Sequence, residues 1–153
     1  ELDQLLTRRA AQWVAKIISL ENSSDASMPI VGTLKITVPA YTRTLEESSF
    51  LLQGFRNAQS IPFKVQSAGK LVVEVNWQAN STDSKEALPL SISLIHESQN
   101  KIYANKTGAR NVRIEHQVTQ QDLDRGNNWA VKITNNNLVS VRGTMTILYT
   151  PNL

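Results

Sequence analysis

Residues 127–149 read NNWAVKITNNNLVSVRGTMTILY, two alternating segments on either side of three asparagines. In the first segment Trp129, Val131 and Ile133 fall on one side. In the second, Val139, Val141, Met145, Ile147 and Tyr149 do so, with Ser140, Arg142, Thr144 and Thr146 opposite. A two-residue period places successive side chains on opposite faces of an extended chain. One apolar and one polar face is the pattern of an antiparallel sheet covered on a single side, whereas strands of a doubly wound parallel sheet read as continuous apolar runs. Trp129 shares the inward register, so it reads as core rather than as a ligand platform, with an indole N–H that needs a partner. Asparagine tolerates positive φ, so Asn135–Asn137 predict a tight turn.

The same period runs backwards along the chain. Ile30, Leu34, Ile36 and Val38 alternate with Thr33, Lys35 and Thr37; Ile61, Phe63 and Val65 follow, and then Leu71, Val73, Val75 and Trp77 after the Ala68-Gly69 pair. Leu88, Leu90, Ile92 and Leu94 form another face, as do Val112, Ile114 and Val118. YTRTLEESS (41–49) reads as a loop, and FLLQGF (50–55) as a strand of uncertain extent. Polar segments rich in Asn, Gly and Ser separate the strands, and no internal repeat occurs. About eight short strands of this kind predict a mainly β chain folded as an antiparallel β-sandwich.

Ahead of the strands, residues 1–20 carry a different period. Leu2, Leu6, Ala10, Trp13, Ile17 and Leu20 share a stripe at three- and four-residue spacing, with Leu5 beside them and Arg8, Gln12, Lys16 and Ser19 opposite. Arg9 falls inside the stripe and must reach its edge. The segment predicts one N-terminal amphipathic α-helix, joined by a 21–29 linker (ENSSDASMP) to a sandwich domain at 30–153. Burying such a stripe yields a gross gain of roughly 10 kcal/mol or more before entropy is subtracted. It therefore packs either on its own sandwich or on another chain, and Leu2, Leu6, Trp13, Ile17 and Leu20 are the expected interface residues.

Composition narrows the setting. The chain has 153 residues, 41% hydrophobic, a net charge of +3 and no cysteine. Arg8-Arg9 is the one adjacent basic pair in the sequence, so no basic patch points to nucleic acid. Without cysteine there is no disulfide, thiolate nucleophile or thiolate metal site. No apolar run approaches the roughly 18–20 residues of a membrane span. The opening ELDQLLTRRA, without an initiator Met or a signal-peptide apolar region, suggests a processed protein or an excised domain. Asn22, Asn80 and Asn105 begin sequons that would matter only in a eukaryotic secretory pathway. At 6% aromatic residues the chain is thin in stacking groups for a sugar or nucleic-acid binder.

The order IPFKVQSAGKLVVEVNW, LPLSISLIHESQNKIY and QDLDRGNNWAVKITNNNLVSVRGTMTILYTP, over roughly residues 50–150, resembles the bacterial pre-peptidase C-terminal (PPC-like) domain. The shared pattern is a strand, an Ala-Gly turn, a Trp-ended strand, a Leu/Ile strand, a Gly-x-x-Trp strand and a closing Gly-Thr strand. The resemblance implies a jelly-roll-like sandwich without catalytic residues. It also implies attachment to a secreted hydrolase, binding of insoluble polymers such as collagen or help in a neighbour's folding. Some members bind calcium through carboxylates near the N-terminal linker, which here would be Glu21 and Asp25 with Asn22. The helix has no counterpart in that family.

Candidate chemistry is sparse. His116 lies in register with Ile114 and Val118, and His96 follows Leu94 by two, so both could face one interior. They read either as a pair for metal or acid–base work or as two separately hydrogen-bonded histidines; a third metal ligand is lacking. Asp122, Asp124 and Asn127 in DLDRGN look superficially like a calcium loop, but Gly126 occupies the fifth place, where a ligand belongs. The alternative is a turn whose Leu123 plugs the sandwich end while both Asp stay solvated. HES (96–98) places neighbours on opposite faces of a strand, and Glu46-Glu47 sits without an aromatic floor. No nucleophile-elbow, zinc-protease or phosphate-loop motif occurs.

The expectation is a non-catalytic, exported bacterial module for interaction or assembly, with a protein partner or a second copy and the helix at or near the interface. No cofactor beyond calcium is expected. The alternative is a polymer-binding module, collagen- or polysaccharide-type, beside a secreted hydrolase. Exposed Tyr41, Phe55 and Tyr103 would favour it.

Overall fold

Eight strands form among the described residues, which are 41–80 and 88–152 of the computed structural model. They are β1 (Arg43–Leu52), β2 (Asn57–Lys64), β3 (Gly69–Ala79), β4 (Leu90–His96), β5 (Lys101–Gly108), β6 (Asn111–Val118), β7 (Asn128–Asn135) and β8 (Val141–Pro151), with a short helix α1 (Gln120–Asp124) between β6 and β7. The predicted helix 1–20, the linker 21–29 and the alternating stretch 30–38 lie outside the described residues.

Two four-stranded sheets form, in the orders β1-β8-β3-β6 and β2-β7-β4-β5, and every pairing is antiparallel. β4 and β5 are the one pair consecutive in sequence that also lie side by side. Every other connection passes from one sheet to the other, which is the winding of a double-sheet jelly roll. Loops β1–β2, β5–β6 and β7–β8 gather at one end of the sandwich, here the loop end, together with the end of β3 and the start of β4. The β2–β3, β4–β5 and β6–β7 connections gather at the other, which α1 covers.

The inward residues read from the periods form the core. Leu71, Val73, Val75, Val141, Met145, Ile147 and Tyr149 of the first sheet face Leu90, Ile92, Leu94, Trp129, Val131 and Ile133 of the second, all of them buried. Trp77 is buried too and donates its indole N–H to the Leu88 carbonyl at 2.7 Å. Both tryptophans therefore fill the space between the sheets.

Three local readings need correction, and one strand is not legible in the pattern. Residues 41–49 are not a loop, because β1 starts at Arg43. Its inward positions Arg43, Glu46 and Ser48 are polar, and a bulge between Thr44 and Glu46 breaks the period, so no alternation is visible. Among the described strands β1 lies at a sheet edge, where inward polar groups guard against edge-to-edge pairing. β5 has no apolar face to read: it is the opposite kind of edge, mostly exposed, with a bulge between Leu94 and Ile95 in its pairing to β4. The DLD turn is a helix of five residues with a capping box, in which Thr119 accepts from the Asp122 N–H while Asp122 accepts from the Thr119 N–H. Leu123 packs against the core as predicted, but Asp122 is buried rather than solvated. Last, none of Asn135, Asn136 and Asn137 has positive φ; among non-glycine residues that conformation belongs to Phe55, Arg56 and Asn100.

Candidate functional site

The helix-covered end collects the histidines. His96 ends β4, Tyr103 lies on β5, His116 on β6 and Trp129 starts β7, so the cluster bridges the two sheets. Trp129 stands 4.5 Å from the His96 ring, 5.2 Å from Tyr103 and 5.6 Å from His116, centroid to centroid, and Tyr103 is 4.6 Å from His116. The histidines thus converge on one indole. His96 is fully buried, with Nε2 facing the carbonyls of Gly126 (2.9 Å) and Asp122 (3.2 Å). Two acceptors require a proton on Nε2; Nδ1 has no partner among the described residues, and neither do His116 Nε2 and Trp129 Nε1. Gly126, at φ 127°, carries its carbonyl to the imidazole in a conformation that side-chain-bearing residues rarely adopt.

Asp122 holds this end together. One carboxylate oxygen accepts from the Thr119 N–H (2.9 Å) and hydroxyl (2.7 Å), and the other accepts from the Tyr103 hydroxyl. Burial alone would push its pKa up, but the bonds from Tyr103 and Thr119 outweigh it and hold the carboxyl at about 2. Burial, then the bond and charge of Asp122, push the Tyr103 phenol up. Desolvation pulls the His116 imidazole down, partly opposed by Asp122 and reinforced by Lys101. The cluster suits packing between the sheets. A general base needs an open approach to a substrate proton, and here the imidazole of His96 is buried and the carboxylate of Asp122 is engaged.

The calcium trio does not come together as a ligand set. Asp122 faces inward, while Asp124 is exposed and accepts from the Gln120 amide at 3.0 Å. Asn127 is exposed, and its backbone carbonyl accepts from the Val65 N–H. Among the described residues no group of three or more His, Asp or Glu is placed to hold a metal ion. The proposed interface residues Leu2, Leu6, Trp13, Ile17 and Leu20, and the linker acids, lie outside the described residues.

The loop end is built differently. Asn135, fully buried, donates from Nδ2 to the carbonyls of Gln53 and Val139 (2.9 Å each) and accepts at Oδ1 from the N–H (3.0 Å) and side-chain amide (2.8 Å) of Asn137. Asn137 donates in turn to the Pro89 carbonyl. Three loops are thereby tied through two side chains. Gly54 presses against Leu138, where an added Cβ would lie 2.0 Å from the carbonyl oxygen, and the Phe55 N–H donates to the Asn137 carbonyl. On this locked base Phe55 is 62% exposed and Leu138 83% exposed, with Leu51 (52%) at the end of β1. Phe55 and Arg56 both take positive φ, 59° and 54°, and the Arg56 guanidinium lies 5.3 Å above the Phe55 ring. A bulky side chain in that region costs energy, and structures retain such strain mostly where an exposed group must be held in place.

Of the exposed aromatics expected from sequence, Tyr41 (47% exposed) stands at the helix-covered end, Phe55 at the loop end, and Tyr103 is half-buried beneath Lys101. They form no single row. Leu138 was not singled out by sequence, though an apolar residue inside a polar turn and out of strand register is a readable sign.

No family model matches the chain, and no curated protein does. Similar solved structures include a protein of Bacillus endospore appendages, described as disulfide-linked pili, at 9% identity over 79% of this chain and 100% of that one, TM-score 0.42. Others are the Yersinia pseudotuberculosis-derived mitogen (13% identity, 74% and 88% coverage, TM-score 0.41) and a carbohydrate-binding module from Cellvibrio mixtus lichenase 5A in complex with cellotriose (11%, 71% and 85%, 0.36). At these identities and scores they lend no argument to any function.

Proposed function

We propose that this chain is a non-catalytic, exported interaction module that assembles with a second copy of itself or another protein chain, through the loop end and the amphipathic 1–20 segment. The observation that carries the reading is the loop end, where Asn135 and Asn137 rigidify a base from which Phe55 and Leu138 project into solvent. A rigid platform presenting apolar side chains loses little entropy on docking, and exposed apolar groups held by strained backbone serve contact better than folding. The sequence pattern of Leu2, Leu6, Trp13, Ile17 and Leu20 supports the helix as a second contact. The absence of any acid–base constellation with an open approach among the described residues supports the non-catalytic part. We also retain the PPC-like family as a proposal, supported by the jelly-roll winding and the inward Trp129. For the polymer-binding alternative, the separation of Tyr41 from Phe55 removes the aromatic row it needs.

Light scattering tests the assembly reading on the whole chain, a chain starting at Ser27, and a Phe55→Ser/Leu138→Ser double variant. The expected result is an oligomeric whole chain, a folded monomer after truncation, and association weakened by about tenfold or more in the double variant with the melting temperature unchanged. Monomers throughout, with the truncation less stable, would make the helix a lid and end the assembly reading.

A further inference from the structure

A groove of about 450 Å³ opens beside the loop end on the outer face of the first sheet, lined by Ser49, Asn76, Gln78, Arg142 and Thr144 over a floor to which Phe50, Trp77 and Gly143 contribute. Strand register makes these side chains neighbours. Ser49, Thr144 and Asn76 form one row across β1, β8 and β3, and Leu51, Arg142 and Gln78 form the next. Phe50 and Trp77 lie buried beneath, so the floor is made of packed strands.

Arg142 is the unusual member. Further along the same face Lys70 pairs with Glu115 at 2.7 Å, and Arg113 pairs with Glu74 and Glu115, whereas Arg142 has no carboxylate partner among the described residues. With the Gln78 amide carbonyl turned toward it, the guanidinium donates from Nε and Nη2 at 3.2 Å each. That bond occupies the side-on edge and leaves the end-on Nη1/Nη2 pair pointing away, the geometry that receives a carboxylate through two parallel hydrogen bonds. Around it, the hydroxyls of Ser49 and Thr144 and the amide of Asn76 bond to no other described residue and can both donate and accept.

The lining sorts ligand classes. Most of its projecting side chains are polar, and they offer hydrogen bonds that a polar ligand can use. A single guanidinium without lysine or helix N-terminus suits a carboxylate better than a phosphate, which usually gathers several N–H donors. Paired hydroxyl and amide groups match vicinal hydroxyls, and exposed Leu51 beside Arg142 offers a C–H contact for a ring face. The row beyond, Glu47–Thr146–Glu74, adds acceptors for further hydroxyls. Phe50 and Trp77 reach the groove floor but are buried, so a neutral sugar would lack an open aromatic face to stack on.

We propose that this groove binds a carboxylated sugar, a uronic acid unit whose carboxylate meets the end-on edge of Arg142 and whose hydroxyls meet Ser49, Asn76 and Thr144. The site goes beyond the assembly reading and does not depend on it.

Amide NMR titrations of the whole chain with sodium glucuronate and sodium galacturonate test it, against glucose, galactose and sodium acetate. Saturable shifts confined to the groove residues are expected with a uronate, and roughly tenfold weaker or absent responses with the neutral sugars and acetate. Arg142→Met abolishes the response, Arg142→Lys weakens it by about tenfold, and Phe55→Ser leaves it intact, even if assembly is lost. Thr144→Ala, a change at an exposed position, provides a second folded variant with a response several-fold weaker. An equal response to acetate would reduce the groove to a general anion site and overturn the sugar assignment. No saturable shift with either uronate, or unchanged binding by Arg142→Met, overturns the proposal as a whole.

Discussion

Asn135 makes two donated and two accepted hydrogen bonds inside a fully buried site, the full capacity of an amide side chain. Removing it strands the carbonyls of Gln53 and Val139 and the Asn137 donors together. Asn135→Ala is therefore expected to lose about 2–3 kcal/mol in urea unfolding, and Asn135→Asp at least as much because it keeps the volume but loses both donors. Gly54→Ala meets the Leu138 carbonyl head-on, so the β1–β2 and β7–β8 loops must part. A loss of about 1–3 kcal/mol is expected, together with faster hydrogen exchange at Phe55. The asparagine run stands where β7 gives way to a loop that crosses to the other sheet, not at a tight turn, and its role has another cause. Side-chain hydrogen bonding, not tolerance of positive φ, is what these residues supply, and the partners that reveal it lie 48 and 82 positions away in the chain.

At the scale of elements, α1 is too short to stand alone and depends on its cap and on Asp122. Thr119→Ala should lower stability by about 1 kcal/mol. The Asp122 carboxyl falls from its ordinary 3.8 to about 2 on folding, so the unfolded chain binds more protons between those values. Its contribution, about 2 kcal/mol, is complete above pH 3.8 and is lost as pH drops toward 2. His116 behaves with the same sign at higher pH. Its folded pKa is depressed, so stability begins to fall once pH goes below about 6.5, where the unfolded imidazole takes its proton. Thermal melts between pH 7 and 2 should show both phases, with Asp122→Asn removing the lower one and Phe replacing His116 removing the upper. By contrast, the Arg113 ion pairs are exposed, and Arg113→Met should leave the urea midpoint essentially unchanged. Tyr103, the partner that makes Asp122 buried and acidic, sits on β5, the strand that the period did not reveal.

Across the whole molecule, the winding leaves β4–β5 as the one local strand pair among the described residues, and closure requires β1 to meet β8 from opposite ends of the described chain. Such non-local pairing folds slowly, and stopped-flow refolding is expected on a scale of roughly milliseconds to seconds. The outer faces also differ. The first sheet is laced with Lys70, Glu74, Arg113 and Glu115, whereas the second carries Ser60, Ser93, Thr134 and Lys132 and an apolar row of Pro62, Ala130, Ile95 and Ile102. Alternation of apolar and polar residues was enough to determine strands, their inward faces and the placement of Trp77 and Trp129 in the core, because a two-residue period records which side of a strand meets water. Strands β1 and β5 escaped it, β1 because polar residues fill inward positions and a bulge breaks its period, β5 because most of it is exposed. Strand order, the tie between three loops through Asn135, the meeting of two histidines at Trp129 and the Arg142–Gln78 pair beside its groove were decided only by the tertiary structure. Each depends on residues that a sheet-to-sheet winding brings together from far apart in the chain, and no local pattern of hydrophobicity encodes that distance.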